Sequence, residues 1–222
     1  ISEKIFKSKL HQEPFKYIYI EKIFNEKTIV KLINNFPDDK YFTKKKNFTK
    51  YDTKRKFLVL YDMYENYWFK SKFWRSFIEQ NLNYDYKNAL LEKFLPYIRK
   101  PSSKKELNFL NIRIELSKDE IGYKLDPHTD DSSRLITNLI YLNEKKSPQK
   151  KIGFNMLINK NNTRNYGGHL DDKNFKKIKT IPFGRGNMLA FLRSNNSYHS
   201  VDENNIYERK SIQIAIYYKN KS

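Results

Sequence analysis

The sequence predicts a mainly β protein with flanking helices, an α+β chain, on three observations. After residue 107 short β-like runs follow one another with polar turns between them, the pattern of a sandwich or barrel. Before it, three segments carry helical spacing. The two textures meet at Pro101-Ser102-Ser103-Lys104-Lys105, a breaker that makes the best junction in the chain. A chain of 222 residues suffices for one large core, so a single domain over 1–222 is expected, with a helix-rich support over 1–106 and the β core over 107–222.

Phe15 to Ile20 alternates and suits a short strand. Asn25 is placed to cap a helix running through Asn35, with Ile29, Val30, Leu32 and Ile33 on one side and Pro37 limiting its extension. Tyr41 to Arg55 is polar and Lys-rich and reads as an exposed loop, and Phe57 to Tyr61 as a strand. Helical spacing returns over Ser71–Leu82, through Phe73, Trp74, Phe77 and Ile78, and over Tyr86–Ile98, through Leu90, Leu91, Phe94 and Leu95. The expected core strands are Leu107–Leu116, Ile121–Leu125, Arg134–Leu142, Lys176–Ile181, Met188–Leu192 and Ser211–Tyr218. Asn143 to Tyr166 is long, basic and Asn-rich and reads as a loop, either a functional lid or surface padding.

Composition narrows the function. With 17 Tyr and 16 Phe the chain has enough rings to bury, which argues against global disorder. The absence of Cys excludes disulfides and thiolate metal sites. A formal net charge of +19 suits a polyanion such as nucleic acid. The joint abundance of Lys, Asn, Ile, Tyr and Phe, with the Lys spread along the chain, favours compositional bias over that reading. No apolar stretch approaches the ~20 residues of a membrane span, and no signal peptide is visible, so a cytoplasmic location is expected, although the chain begins at Ile1 and targeting information could lie upstream.

The chemistry concentrates in Asp126-Pro127-His128-Thr129-Asp130. On an extended backbone His128 and Asp130 point the same way. A second histidine, His199, lies in Ser197-Tyr198-His199-Ser200-Val201 beside another β-like run. Two imidazoles and one carboxylate on one side of a metal leave adjacent positions open, the facial triad of non-haem Fe(II) oxygenases. Singly, His128 also reads as a surface-loop histidine and His199 as an ordinary strand-end one. Arg209 precedes the alternating Ile212, Ile214 and Ile216, and an Arg entering a buried strand needs an anionic partner. A ligand carboxylate would supply it; so would Glu208 or Asp202.

Three blocks together resemble the 2-oxoglutarate/Fe(II) oxygenases, in their prolyl-hydroxylase-like branch. The first runs from Gly122-Tyr123 through His128 and Asp130 to Arg134, Thr137 and Tyr141-Leu142-Asn143; the second is Gly167-Gly168-His169-Leu170; the third runs from Gly186 to Phe191, through His199, to Arg209-Lys210-Ser211. The resemblance implies a double-stranded β-helix (a cupin-like jelly roll) over 107–222. It implies His128, Asp130 and His199 as catalytic iron ligands, Arg209 as the residue binding the distal carboxylate of 2-oxoglutarate, Tyr141 and Ser211 as its helpers, and Tyr123 as a pocket aromatic. Gly167 and Gly168 match a close-packed turn, and His169, a possible rival ligand, is kept structural. The implied cofactor is Fe(2+), with 2-oxoglutarate as cosubstrate, O2, and ascorbate in support. The implied reaction hydroxylates an unactivated C–H of a prolyl or other amino-acid side chain, or of a small metabolite, releasing succinate and CO2. The partner is then a peptide, amino acid or small metabolite, with Arg134 and the basic 143–166 segment as candidate contacts. Two rivals stand beside this reading. One is an oxygenase acting on nucleic acid, demethylase-like, against which position 215 is Ala where those enzymes resemble one another in a second Arg. The other is a non-catalytic cupin-like binding module.

Overall fold

The alternation of Ile212, Ile214 and Ile216 decides which way a long strand at the heart of the fold faces. The structure, a computed structural model, describes residues 1–44, 54–98, 110–143, 153–160 and 170–218. Strand β13 (Arg209–Tyr218) buries those three isoleucines on one face and turns Arg209, Ser211 and Gln213 to the other, as a period of two requires. It lies inside the larger of two antiparallel sheets. The order there is β1 (Leu10–His11), β2 (Tyr17–Ile20), β11 (Met188–Leu192), β8 (Arg134–Tyr141), β13, β6 (Leu110–Asp119), β4 (Arg55–Asp62) and β3 (Thr43–Lys44), with β5 (Tyr67–Trp68) also on β4. The smaller sheet runs β10 (Phe175–Pro182), β9 (Gly153–Asn159), β12 (His199–Asn204) and β7 (Tyr123–His128).

Among the described residues, four helices cover the isoleucine face. They are α1 (Ser2–Lys7), α2 (Glu26–Asn34), α3 (Lys72–Asn81) and α4 (Tyr84–Phe94). The last three begin on side-chain caps: Asn25 accepts from the Thr28 amide at 2.8 Å, Ser71 from Trp74 at 3.4 Å, and Asn83 from Asp85 and Tyr86. Their apolar faces, through Leu32, Trp74, Leu90 and Phe94, share one core with Ile114, Ile136, Ile140 and Ile212. Burying each such side chain contributes about 1.5–3 kcal/mol, so this contact anchors the helices to the sheet. Tyr86 crosses the same boundary, donating a 2.6 Å hydrogen bond to the buried Asn138 of β8. The opposite face of the larger sheet meets the smaller sheet over a second core that includes Tyr17, Tyr141, Phe154, Phe183 and Phe191. Between the two sheets lies the site.

The expected core strands form, Met188–Leu192 with the bounds expected, the others with shifted ends where residues are described, and two more strands appear. β9 lies inside the stretch read as a loop. Its apolar residues are interrupted by Asn155, and that polarity hid the strand; the side chain is fully buried because Ser200 and Thr180 supply its hydrogen bonds. β12, His199–Asn204, has four polar residues after Val201 is set aside with His199, and it carries no alternation to read. Arg55 is the first residue of β4 rather than the end of a loop, and Thr43–Lys44 pairs with that strand. The N-terminal support therefore contributes strands β1–β5 as well as helices. The junction at Pro101–Lys105 and the flanks of β9 lie outside the described residues.

Candidate active site

His128 ends β7 and His199 opens β12, and the antiparallel register sets the two directly opposite one another. Their ring centroids are 4.2 Å apart. Asp130, two residues on from His128, brings Oδ1 to 4.0 Å from His128 Nε2 and 3.8 Å from His199 Nε2. These gaps are too long for hydrogen bonds. They do suit a shared cation, since two ligands each about 2.0–2.2 Å from one ion lie at most about 4.4 Å apart. The three side chains offer ligand atoms that all lie within 4.8 Å of one another.

The surroundings orient each of these side chains. His128 Nδ1 lies 2.8 Å from the Asp126 carbonyl and His199 Nδ1 lies 3.0 Å from that of Ser197. A carbonyl only accepts, so each Nδ1 carries the proton and each Nε2 keeps its lone pair for the space beside Asp130. His199 stacks on Phe154 at 4.7 Å, and burial pushes its pKa down, which favours the neutral, metal-binding form. Burial works to raise the Asp130 carboxyl, but Arg134, then the two histidines and the Thr137 hydroxyl, outweigh it and hold the group well below the usual carboxylate range. Thr137 donates to Asp130 Oδ2, and Arg134 Nη1 stands 3.7 Å from Oδ1.

A cavity of about 400 Å³ runs from this cluster between the sheets. Along β8 its wall is Thr137, Leu139 and Tyr141, alternate residues on one face, so Tyr141 lies about 13 Å of strand away from Thr137. Ser211 pairs directly with Tyr141 and, on its other side, with Ser117, whose hydroxyl is 3.3 Å from its own. Arg209 is two residues before Ser211 on the same face. Its guanidinium packs 4.0 Å from the centre of the Phe183 ring and 5.5 Å from that of Tyr123. Among the described residues Arg209 Nη1 and the Tyr141 hydroxyl are fully buried with no hydrogen-bond partner.

All eight residues singled out from the sequence, His128, Asp130, His199, Arg209, Tyr141, Ser211, Tyr123 and Arg134, line this one cavity. Gly167, Gly168 and His169 lie outside the described residues. The charge partner of Arg209 is neither Glu208 nor Asp202. Those two pair with Lys118 and Lys177, and Arg209 is held by Asp119 of β6, which Arg55 of β4 also grips. Three participants went unread in the sequence. Thr137 looked like an ordinary strand residue, and Arg55 and Asp119 are 64 residues apart, joined only by strand pairing.

No family model and no curated protein matches the chain. Solved structures do. A prolyl-4-hydroxylase from Pseudomonas putida superposes with a TM-score of 0.54 at 12% identity, covering 99% of this chain and 98% of that one. The viral collagen prolyl hydroxylase of Paramecium bursaria Chlorella virus-1, solved with 2-oxoglutarate, gives 0.51 at 14% identity, over 92% and 96%. HygX from Streptomyces hygroscopicus, solved with nickel and 2-oxoglutarate, gives 0.56 at 12% identity, over 92% and 83%. The fold is that of the 2-oxoglutarate/Fe(II) oxygenases. The oxygenase fold accounts for the two facing sheets, the larger one backed by helices, and it makes the jelly-roll expectation correct. At these identities the likeness concerns the fold.

Proposed function

We propose that this protein is an Fe(II)- and 2-oxoglutarate-dependent dioxygenase that hydroxylates an unactivated C–H bond. One observation carries the reading. The cavity that holds the two histidines and the aspartate also holds, farther in, a buried guanidinium nitrogen and a buried phenol hydroxyl that lack partners. Buried polar groups are rarely left unpaired, because each costs about 1–3 kcal/mol in that state. A metal at one end and an anionic acceptor at the other would use every one of these groups.

The donor set fits. His128, Asp130 and His199 would hold iron, with Thr137 fixing the carboxylate and the carbonyls of Asp126 and Ser197 fixing the imidazoles. Arg209 Nη1, Tyr141 and Ser211 would receive the far carboxylate of 2-oxoglutarate, and Leu139, Leu125 and Val201 would keep the middle of the cavity dry. Iron so held would activate O2, the oxidant, whose two oxygen atoms would end in succinate, formed with CO2 from 2-oxoglutarate, and in the hydroxylated product. The protein's share is orientation and exclusion of water.

The substrate class we favour is a peptide, an amino acid or a small metabolite. Structures sharing the fold include prolyl hydroxylases and HygX solved with hygromycin B. Arg134 is about a quarter exposed beside Asp130 and is placed to meet an incoming polar group. Position 215, where a second Arg would suit a nucleic-acid substrate, is an Ala paired with Thr137, so we keep that reading second despite the charge of +19. The test is succinate release from 2-oxoglutarate by Fe(II)-loaded protein across a panel of peptides, amino acids and small metabolites. Turnover that disappears in His128→Ala and Arg209→Ala is expected; full turnover in either variant would overturn the assignment.

A further inference from the structure

On the helix-facing side of the larger sheet a second cavity, of about 280 Å³, opens among β4, β5, β6 and the helices α3 and α4. It is separate from the cavity between the sheets. Ile112, which lines it, shares the helical core with Ile114 and Leu116, whereas Asp119, on the other face of β6, lines the cavity of the histidines. Its size is close to the lower end of ligand pockets, about 300 Å³. The walls are apolar: Tyr61, Trp68, Leu82 and Ile112, with Met63 and Tyr84 at the rim, 42% and 69% exposed. The centres of the Tyr61 and Trp68 rings lie 4.2 Å apart. The single carboxylate among the lining residues, Glu79, is engaged by Arg75 at 3.0 Å.

Lys87 interrupts this apolar lining. It is only 7% exposed, and its ammonium lies 5.5 Å from the centre of the Tyr84 ring. Among the described residues that ammonium has one hydrogen-bond acceptor, the Leu110 carbonyl at 3.2 Å, and no carboxylate in ion-pair reach. The carbonyl is open because β4 pairs with β6 only as far as Arg113 and the Met63 amide takes the carbonyl of Ile112, which leaves Leu110 beyond the end of β4. A neutral amide would serve it as well, without desolvating a charge. An ammonium carries three N–H donors, and here one is used. Burial pushes the Lys87 pKa down, as it does for a cation that lacks an anion.

We propose that this cavity is a second binding site, for a small organic acid, with the carboxylate on the Lys87 ammonium and a flat apolar body against Tyr61, Trp68 and Tyr84. The inference is independent of the oxygenase reading. Charge complementarity selects the occupant. A neutral apolar ligand would leave the buried ammonium unpaired, a cation would be repelled, and a fully polar acid would leave the aromatic walls uncovered.

Equilibrium dialysis of the full chain against 2-naphthoate and its neutral counterpart 2-naphthalenemethanol tests the site. The unaltered protein is expected to hold naphthoate about tenfold more tightly, the weight of one charge-assisted contact. Lys87→Met keeps the reach of the side chain without its charge. There the preference should vanish while the alcohol binds as before, the sign of an intact cavity. Tyr84→Glu offers a second route. The position is on the exposed rim and opens α4, where a carboxylate favours the helix. It is also three residues before Lys87, so a carboxylate there would pair with the ammonium and compete with the ligand. The preference for naphthoate should again disappear, and this variant carries the test if Lys87→Met fails to fold. If the preference survives in either variant, naphthoate sits elsewhere, for instance at Arg209, and the proposal is wrong. It is equally wrong if the unaltered protein binds the two probes alike or binds neither.

Discussion

Asp119 and Arg209 face each other across the β6–β13 ladder, two of the least exposed charged side chains in the protein. Their contact, shared with Arg55, ties a strand of the N-terminal half to the centre of the larger sheet. Removing the carboxylate leaves the buried Arg209 guanidinium without its ion-pair partner, so Asp119→Asn should cost about 3–5 kcal/mol in stability, read by urea unfolding. The pH dependence follows from the same contact. Burial works to raise the Asp119 carboxyl, but Arg209 and Arg55 prevail and hold it below the ordinary range. A carboxylate with a lowered folded-state pKa contributes stability that is fully present above its unfolded value, about 3.9, and is lost as pH falls through the folded one. Stability should therefore fall more steeply below about pH 4 in the unaltered protein than in Asp119→Asn. Parallel acid profiles would show that the pair is not what titrates.

Thr137 is expected to matter to metal binding although it touches no metal. Its hydroxyl donates to Asp130 Oδ2, the oxygen turned away from the histidines' contacts at Oδ1. Losing such an outer contact commonly weakens a metal 10–100-fold, so Thr137→Val should shift an Mn(II) or Co(II) titration by about that factor. Thr137 is buried, so thermal melting of the metal-free protein provides the control. Unchanged affinity would place the orientation of Asp130 with Arg134 and Arg193 instead, the latter donating to its backbone carbonyl at 3.1 Å.

Tyr86 joins the helical layer to the barrel through a buried 2.6 Å hydrogen bond to Asn138, with the Met188 sulfur 3.8 Å from the same hydroxyl. Tyr86→Phe should cost about 1–3 kcal/mol, the price of leaving the amide oxygen without its donor. Cosubstrate affinity should be unaltered, because Asn138 faces the helices and Tyr141 and Thr137 face the cavity. Thermal unfolding and 2-oxoglutarate titration of the same sample check both halves.

Of the proposed metal-binding residues, His128 and Asp130 were visible together in local spacing, whereas His199 opens a strand without alternation and was joined to them only through the resemblance. His128 and Asp130 sit two apart, and Arg209 and Ser211 precede a run of alternating isoleucines that announces a buried strand. The row Arg55–Asp119–Arg209 was not legible. Each member alone is an ordinary charged residue, and only the register of three strands distant in sequence brings them together. The same limit hid the charge partner of Arg209, for which the neighbours Glu208 and Asp202 were the visible choices. β9 escaped for a different reason: Asn155 is buried against Ser200 and Thr180, and a satisfied polar residue breaks the apolar alternation by which a strand is recognised.

Tyr141→Phe should move stability and cosubstrate binding in opposite directions. The hydroxyl is buried with no hydrogen-bond partner among the described residues, and burial raises its pKa, so it stays protonated at any working pH. An unpaired buried hydroxyl costs the folded state about 1–3 kcal/mol. Phe has the same ring, keeps the edge-on contact with Phe183 at 5.0 Å, and carries no such group. The metal-free, ligand-free variant should therefore melt slightly higher than the unaltered protein. If the hydroxyl exists to donate to the far carboxylate of 2-oxoglutarate, the variant should bind that ligand about tenfold more weakly, the weight of one hydrogen bond to a charged acceptor. A purely structural tyrosine would behave otherwise. It would have an internal acceptor, its loss would lower the melting temperature, and the titration with 2-oxoglutarate would not change. Melting and titration of one pair of samples thus separate a residue retained for the fold from one retained, at some expense to the fold, for the ligand.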